Sequence, residues 1–170
     1  VVFHLADVVA GITYVFANEP FVFRANMLIN SNMLAAANKA AVKRYLYVGA
    51  ACSYPQEKQQ DPDSPLLKEE DVYPANPESA YGWSKLMGEY EAELFSRYHN
   101  MNICILRLHN VYGPHSDLSP EKSQVIPALI RKAIRYPKEP FVVWGSGNQT
   151  RAFVYVADAV RAMMLGIEKG

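Results

Sequence analysis

Short runs of β-branched and aromatic residues alternate along this chain with longer stretches whose apolar residues recur every three or four positions. VVFHLA (Val1–Ala6) is a continuous apolar run, the pattern of a strand buried on both faces. Residues 20–41 carry Phe23, Met27, Met33, Leu34, Ala37 and Ala41 at helical spacing, with Pro20 in the first turn where helices tolerate it. KRYLYVG (43–49) predicts a second strand. From Ser53 to Pro77 the chain holds Pro55, Pro62, Pro65, Pro74 and Pro77 among many charges, which reads as a long surface loop. Asn76-Pro77-Glu78 predicts a helix start. That helix runs to about Tyr98, with Trp83, Leu86, Met87, Tyr90 and Leu94 as its apolar stripe. ICILRL (103–108) predicts a third strand, 110–120 a loop, and 121–135 a helix shortened or kinked by Pro127. FVVWG (141–145) and AFVYV (152–156) predict two more strands around a GSGN turn, and 158–168 a last helix. Strands alternating with helices define an α/β fold with a parallel sheet.

Composition narrows the function classes. The chain has 170 residues, enough for one domain with a real core. Seventeen basic residues balance seventeen acidic ones without clustering, so no nucleic-acid footprint and no basic membrane face is expected. No apolar run approaches the roughly 18 residues of a membrane span. The two cysteines, Cys52 and Cys104, are too few for a disulfide framework. They suit a reducing compartment such as the cytoplasm. The four histidines have no metal-ligand spacing with the cysteines, and no metal is expected. The apolar opening run and the closing EKG lead us to expect a piece of a longer protein.

The strongest chemical motif is YGWSK. Tyr81 and Lys85, four apart, share one helix face. A nearby ammonium favours a phenolate and typically lowers a pKa by about 1–3 units, which would draw a tyrosine from about 10 towards general acid–base use. A chance pair on a solvated face has the same spacing. Cys52 follows the second strand in YVGAACSYP, at a strand exit where open α/β sheets place ligands. Cys104, mid-strand, reads as a buried small hydrophobe.

Taken together, VVFHLA, NMLINSN (26–32), ACSYP, YGWSK, RLHNVYGP (107–114), SQVIPALIRK (123–132) and WGSGNQTRAFVYVADAV (144–160) resemble the extended short-chain dehydrogenase/reductases, the NAD(P)-dependent nucleotide-sugar epimerases and dehydratases. The resemblance covers nearly the whole chain. It implies a Rossmann-like doubly wound parallel sheet lacking its first βαβ units. Residues 1–114 would form a partial dinucleotide-binding domain, and 115–170 part of a nucleotide-sugar region from which 152–156 and 158–168 return to the main domain. Within the family, ACSYP, HNVYGP and SQVIPAL most resemble enzymes of GDP-mannose derivatives, the 3,5-epimerases and GDP-L-fucose synthases.

The resemblance implies NAD, with NADP as the alternative, and a full-length homodimer through helices 20–41 and 78–98. Tyr81 matches the acid/base, Lys85 the lysine that tunes it and binds the nicotinamide ribose, and Cys52 a cysteine working at a sugar carbon beside a ketone, a task that needs a lowered thiol pKa. Ala6, Asn26 and His109 match cofactor neighbours. Ala51, Asn110, Gln124, Val125, Lys132, Trp144 and Arg151 match substrate neighbours, although Trp144 suits core packing equally.

Three positions depart from the pattern. Ala50 stands where the family has a hydroxyl donor, and Ser53 is the nearby hydroxyl. Gln124 replaces the histidine acid of the fucose synthases, leaving Lys122 as a substitute. Asp7 stands where a small residue is usual. The glycine-rich dinucleotide turn is not in the sequence, so the 170-residue piece by itself is expected to bind NAD(P) weakly. Two alternatives stay open: a 4-epimerase or 4,6-dehydratase of UDP- or dTDP-sugars, with Cys52 a packing residue, and a non-catalytic cofactor-binding pseudoenzyme.

Overall fold

A computed structural model of the chain describes residues 1–61, 64–120 and 122–170. Pro62 of the expected loop and Glu121 of the expected helix start lie outside the described residues. Strands β1 (Val2–His4), β2 (Arg44–Ala50) and β3 (Asn102–Leu108) form a parallel sheet in the order β1-β2-β3. Val2 pairs with Tyr45, and Leu46 with Cys104. Because the strands are parallel, their carboxyl ends lie along one edge. That edge leads into Ala6-Asp7, Ala51-Cys52 and His109.

Helices α1 (Ile12–Ala17) and α2 (Glu19–Lys39) connect β1 to β2, and α3 (Ala80–His99) connects β2 to β3. Side chains alternate along β2. Tyr45 and Tyr47 enter a core with Leu34 and Ala37 of α2 and Ala92 of α3. Leu46 and Cys104 face the other way, towards Gly166 of α5 (Val156–Lys169). Arg44 Nη1 donates to the Ile167 carbonyl at 3.0 Å and holds the end of α5 on β2. Beyond β3, β4 (Asn110–Tyr112) and β5 (Phe153–Tyr155) form a second, two-stranded parallel sheet, and α4 (Val125–Arg135) lies between them in sequence.

Several boundaries differ from the sequence pattern for local reasons. The α3 cap is Ser79, whose hydroxyl accepts from the Gly82 amide at 3.2 Å. Asn76 instead donates to Glu57 at 2.9 Å. The buried residues of α3 are Gly82, Ser84, Lys85, Leu86, Gly88, Glu89 and Ala92; of the expected stripe Leu86 is buried, Trp83 and Met87 pack against its cluster, and Tyr90 is exposed. On α2 the buried positions are Val22, Asn26, Asn30, Leu34 and Ala37, while Phe23 is exposed. Pro127 is the third residue of α4 and produces no break. FVVWG forms no strand; Phe141 to Trp144 are exposed. Strand β4 appears where a loop was expected, and helix α1 in a stretch for which the sequence pattern predicts no element.

Glu89 on α3 is almost fully buried. Arg107 Nε on β3 meets its Oε2 at 2.8 Å, and Ser53 Oγ donates to Oε1 at 3.3 Å. Arg107 also donates to the Glu69 carbonyl at 2.8 Å. Gly49 makes room: a Cβ there would lie 2.4 Å from Glu89 Oε1. Removing one partner of a buried ion pair strands the other charge and costs about 3–5 kcal/mol. Arg107→Met is therefore expected to lose stability of that order in urea denaturation, and the double variant Glu89→Met, Arg107→Met to lose much less.

Candidate active site

Two side chains of α3 reach the sheet's carboxyl edge. Lys85 is buried, and its Nζ donates to the Val48 carbonyl at 2.8 Å. The same ammonium meets Asp7 Oδ2 at 2.5 Å, with side-chain exposures of only 6% and 8%. It lies 5.8 Å from the Tyr81 ring centroid and 5.4 Å from that of Tyr47. Tyr81 begins the turn before Lys85, and its carbonyl accepts from Ser84 Oγ at 2.7 Å.

Asp7 is held there by its neighbours. Asn26 Oδ1 accepts from the Val8 amide at 2.7 Å, and Asn26 Nδ2 donates to the Val8 carbonyl at 3.1 Å. One side-chain amide thus pairs with the loop as a neighbouring strand would. Asn26 is fully buried, so any influence on a cofactor runs through the loop it fixes. Behind it, His4 Nε2 meets Asn30 Oδ1 at 2.8 Å, Asn30 Nδ2 donates to Tyr47 Oη at 3.2 Å, and Tyr47 Oη donates to the Lys85 carbonyl at 3.2 Å.

The electrostatics reverse the expectation for Tyr81. Burial, then the Asp7 carboxylate, push its phenol well above the ordinary tyrosine range, with Cys52 adding to the rise. The Lys85 ammonium does not draw out a phenolate because Asp7 already neutralises it. Cys52 also departs from what a base needs. The crowding of surrounding atoms, then Glu78, raise its thiol, while Arg151 and Lys85 pull it down. Cys52 itself is exposed at the 3-10 turn Ala51–Ser53, so the thiol is both crowded and reachable. Gly82 lets α3 approach this turn, since a Cβ there would lie 2.2 Å from the Cys52 carbonyl. Ser53 does not replace the hydroxyl missing at Ala50: it is fully buried and turned to Glu89.

The other candidates are spread around this centre. Ala6 and His109 are exposed at the strand exits, and Ala51 opens the turn that carries Cys52. Lys122 lies over the Tyr14 ring at 5.8 Å, and its carbonyl accepts from Gly11 at 3.1 Å. That places it against the loop leaving β1 and the start of α1. Asn110 Nδ2 donates to the Ala152 carbonyl at 3.1 Å across β4 and β5. Gln124 caps α4 by position only, and Val125 beside it is exposed. Lys132 Nζ donates to the Val142 carbonyl at 2.7 Å and lies 5.9 Å from the Trp144 ring, which is exposed rather than core. Arg151 is exposed and donates to the Thr150 carbonyl at 2.7 Å. Among the described residues no group of three or more His, Cys, Asp or Glu side chains converges on a metal position, and no helix is long and apolar enough to cross a membrane.

A parallel sheet with a tyrosine, lysine and cysteine at its carboxyl edge defines a dinucleotide-fold class of protein. The family model described as the NAD dependent epimerase/dehydratase family matches residues 1–170, and the chain belongs to that family. Among curated relatives, the GDP-mannose 3,5-epimerase of Arabidopsis thaliana is 33% identical over 163 residues, covering 96% of this chain and 43% of the relative. The GDP-L-fucose synthase of Escherichia coli K12 is 33% identical over 161 residues, covering 93% and 48%. The chain thus spans less than half the length of these relatives. Among solved structures, the UDP-glucose 4-epimerase of Thermotoga maritima with UDP-glucose superposes with a TM-score of 0.85 at 27% identity, covering 99% of this chain and 52% of that one.

A raised thiol pKa means little thiolate near neutrality. Alkylation of Cys52 by iodoacetamide at pH 8, followed by mass spectrometry, is expected to run slower than that of a free cysteine and to climb as pH rises. Glu78→Gln, which removes a carboxylate near the thiol, is expected to speed it.

Proposed function

We propose that the full-length protein is an NAD(P)-dependent nucleotide-sugar epimerase of the cytoplasm, with a GDP-mannose-type substrate. It would act by transient oxidation to a keto-sugar and proton exchange at a neighbouring carbon. The observation that carries this reading is the meeting of Tyr81, Lys85 and Cys52 at one sheet edge, with the Lys85 ammonium 5.8 Å from the Tyr81 ring and Cys52 near enough to raise the Tyr81 phenol. The pairing favours a catalytic protein over a pseudoenzyme, because no packing need gathers a phenol, an ammonium and a thiol at a strand exit.

The residues suit a nicotinamide cofactor. An ammonium has three donors. Val48 and Asp7 take two of them on Lys85, leaving one for a ribose hydroxyl beside Tyr81. When bound, the cofactor supplies the hydride acceptor and donor. Tyr81 Oη carries the sugar hydroxyl proton. Lys85 orients the ribose. Cys52 exchanges the proton on the carbon next to the ketone, and its raised thiol makes proton donation its resting role. Residues 1–114 serve the dinucleotide and 115–170 the nucleotide sugar, with Arg151 and Lys132 as the cations for its diphosphate and Lys122 as the second proton carrier. Exposed Phe21 and Leu28 on α2 and Tyr90 on α3 offer an apolar face for a second copy.

The Thermotoga likeness supports a 4-epimerase as the second reading, in which Cys52 only packs. With GDP-mannose in deuterated water, Cys52→Ala is expected to abolish label uptake at C3 and C5 while cofactor reduction survives. Unchanged uptake would favour the second reading. Tyr81→Phe is expected to slow both by about 10²–10⁴, the usual worth of a positioned acid or base.

A further inference from the structure

The exposed Cys52 is followed at once by three buried residues, Ser53, Tyr54 and Pro55. Two of them end on the same ion pair. Ser53 Oγ donates to Glu89 Oε1 at 3.3 Å, and Tyr54 Oη accepts from Arg107 Nη1 at 3.5 Å. The Arg107 guanidinium also lies 5.4 Å from the Tyr54 ring centroid. Arg107 Nε meets Glu89 Oε2 at 2.8 Å and joins the two anchors. The Tyr54 amide closes the turn on the Ala51 carbonyl at 3.1 Å. On the helix side, Gly82 leaves the room in which the Cys52 carbonyl sits.

A buried ion pair is a poor device for stability alone, since apolar residues of similar volume often hold a core as well or better. What the pair has and apolar residues lack is direction. Each Glu89 oxygen has its own donor, and the guanidinium fork has separate N–H groups for Glu89 and Tyr54. We propose that the Glu89–Arg107 pair, acting through Ser53 and Tyr54, positions Cys52 and holds its thiol at the sheet edge where Tyr81 and Lys85 stand. Glu89, Arg107 and Ser53 are positioning residues that act through the turn. The geometry matters because the thiol must meet a carbon next to the one whose oxygen Tyr81 serves. A misplacement of about 1 Å is costly in such an arrangement.

This inference rests on reading Cys52 as a proton carrier, and its test needs neither cofactor nor sugar, so the two fail separately. The full-length protein is treated with iodoacetamide at pH 8 without denaturant, and the rate at each cysteine is read by mass spectrometry of its peptide. Ser53→Ala removes the hydroxyl and leaves the ion pair in place. It is expected to free the turn and speed alkylation of Cys52 by about tenfold, the worth of one hydrogen bond to a charged group. Cys104, whose sulfur faces Gly166 of α5, is the internal control, and its rate is expected to stay the same. The double variant Glu89→Met, Arg107→Met is expected to speed Cys52 at least as much while keeping most of its stability to urea. A pair that served stability alone would not give that combination. An unchanged or slower Cys52 rate in Ser53→Ala overturns the proposal. So does a rise shared by Cys104, the mark of general loosening, and so does a folded double variant with the original Cys52 rate. Should the double variant fail to fold, judged by circular dichroism, Ser53→Ala alone decides.

Discussion

The height and rotation of α3 over the sheet depend on one buried ion pair, Glu89 with Arg107. Glu89 lies one helical turn beyond Lys85 and two beyond Tyr81, so the helix presents all three to the strands in a row. Burial pushes Glu89 up, and Arg107 pulls it back down. The pair draws β3, α3 and the long loop after β2 together, since Arg107 also grips the Glu69 carbonyl and Ser53 reaches Glu89. Gly49, at the point of closest approach, is the strand's share of the arrangement. With α3 pinned there, Lys85 reaches the Val48 carbonyl and Tyr81 reaches the strand exits.

The interior around the site is polar to an unusual depth for so small a sheet. His4, Asn26, Asn30, Ser84, Lys85 and Glu89 are all buried, and most are joined by hydrogen bonds. A network of that kind rigidifies when it is satisfied. Rigidity here has a chemical use: it fixes which charge stands beside which proton. The chain shares its family with nucleotide-sugar epimerases and dehydratases. Within that setting the buried Lys85 faces one carboxylate, Asp7, from the loop after β1.

The α/β alternation and the positions of β2 and β3 were legible because their apolar runs are long and bounded. YGWSK was legible because its spacing needs only one helix. The buried face of α2 was legible only in part, at Leu34 and Ala37. A search for apolar periodicity selects Phe23 and Met27, whereas the helix turns Asn26 and Asn30 inward to bond β1, its loop and Tyr47. The cap of α3 was misplaced by three residues because Asn76 and Ser79 are both good caps, and Glu57, distant in sequence, claims Asn76. FVVWG has strand composition but no strand beside it to pair with. Least legible was the environment of Tyr81: a four-residue spacing predicts a lysine's pull, while the opposing carboxylate of Asp7 lies 74 positions away in the sequence.

Two tyrosines that fill the sheet's inner face, with a third on α3, set a limit on the fold. Tyr45, Tyr47 and Tyr81 are all raised above the ordinary phenol, in each case first by burial. In the unfolded chain they ionise near the usual value of about 10. Below that pH the native and unfolded forms hold these protons alike. Above it the unfolded form sheds three protons that the native form keeps, and stability falls with every further step in pH. The fold therefore carries an alkaline ceiling built into its own core, independent of any surface charge.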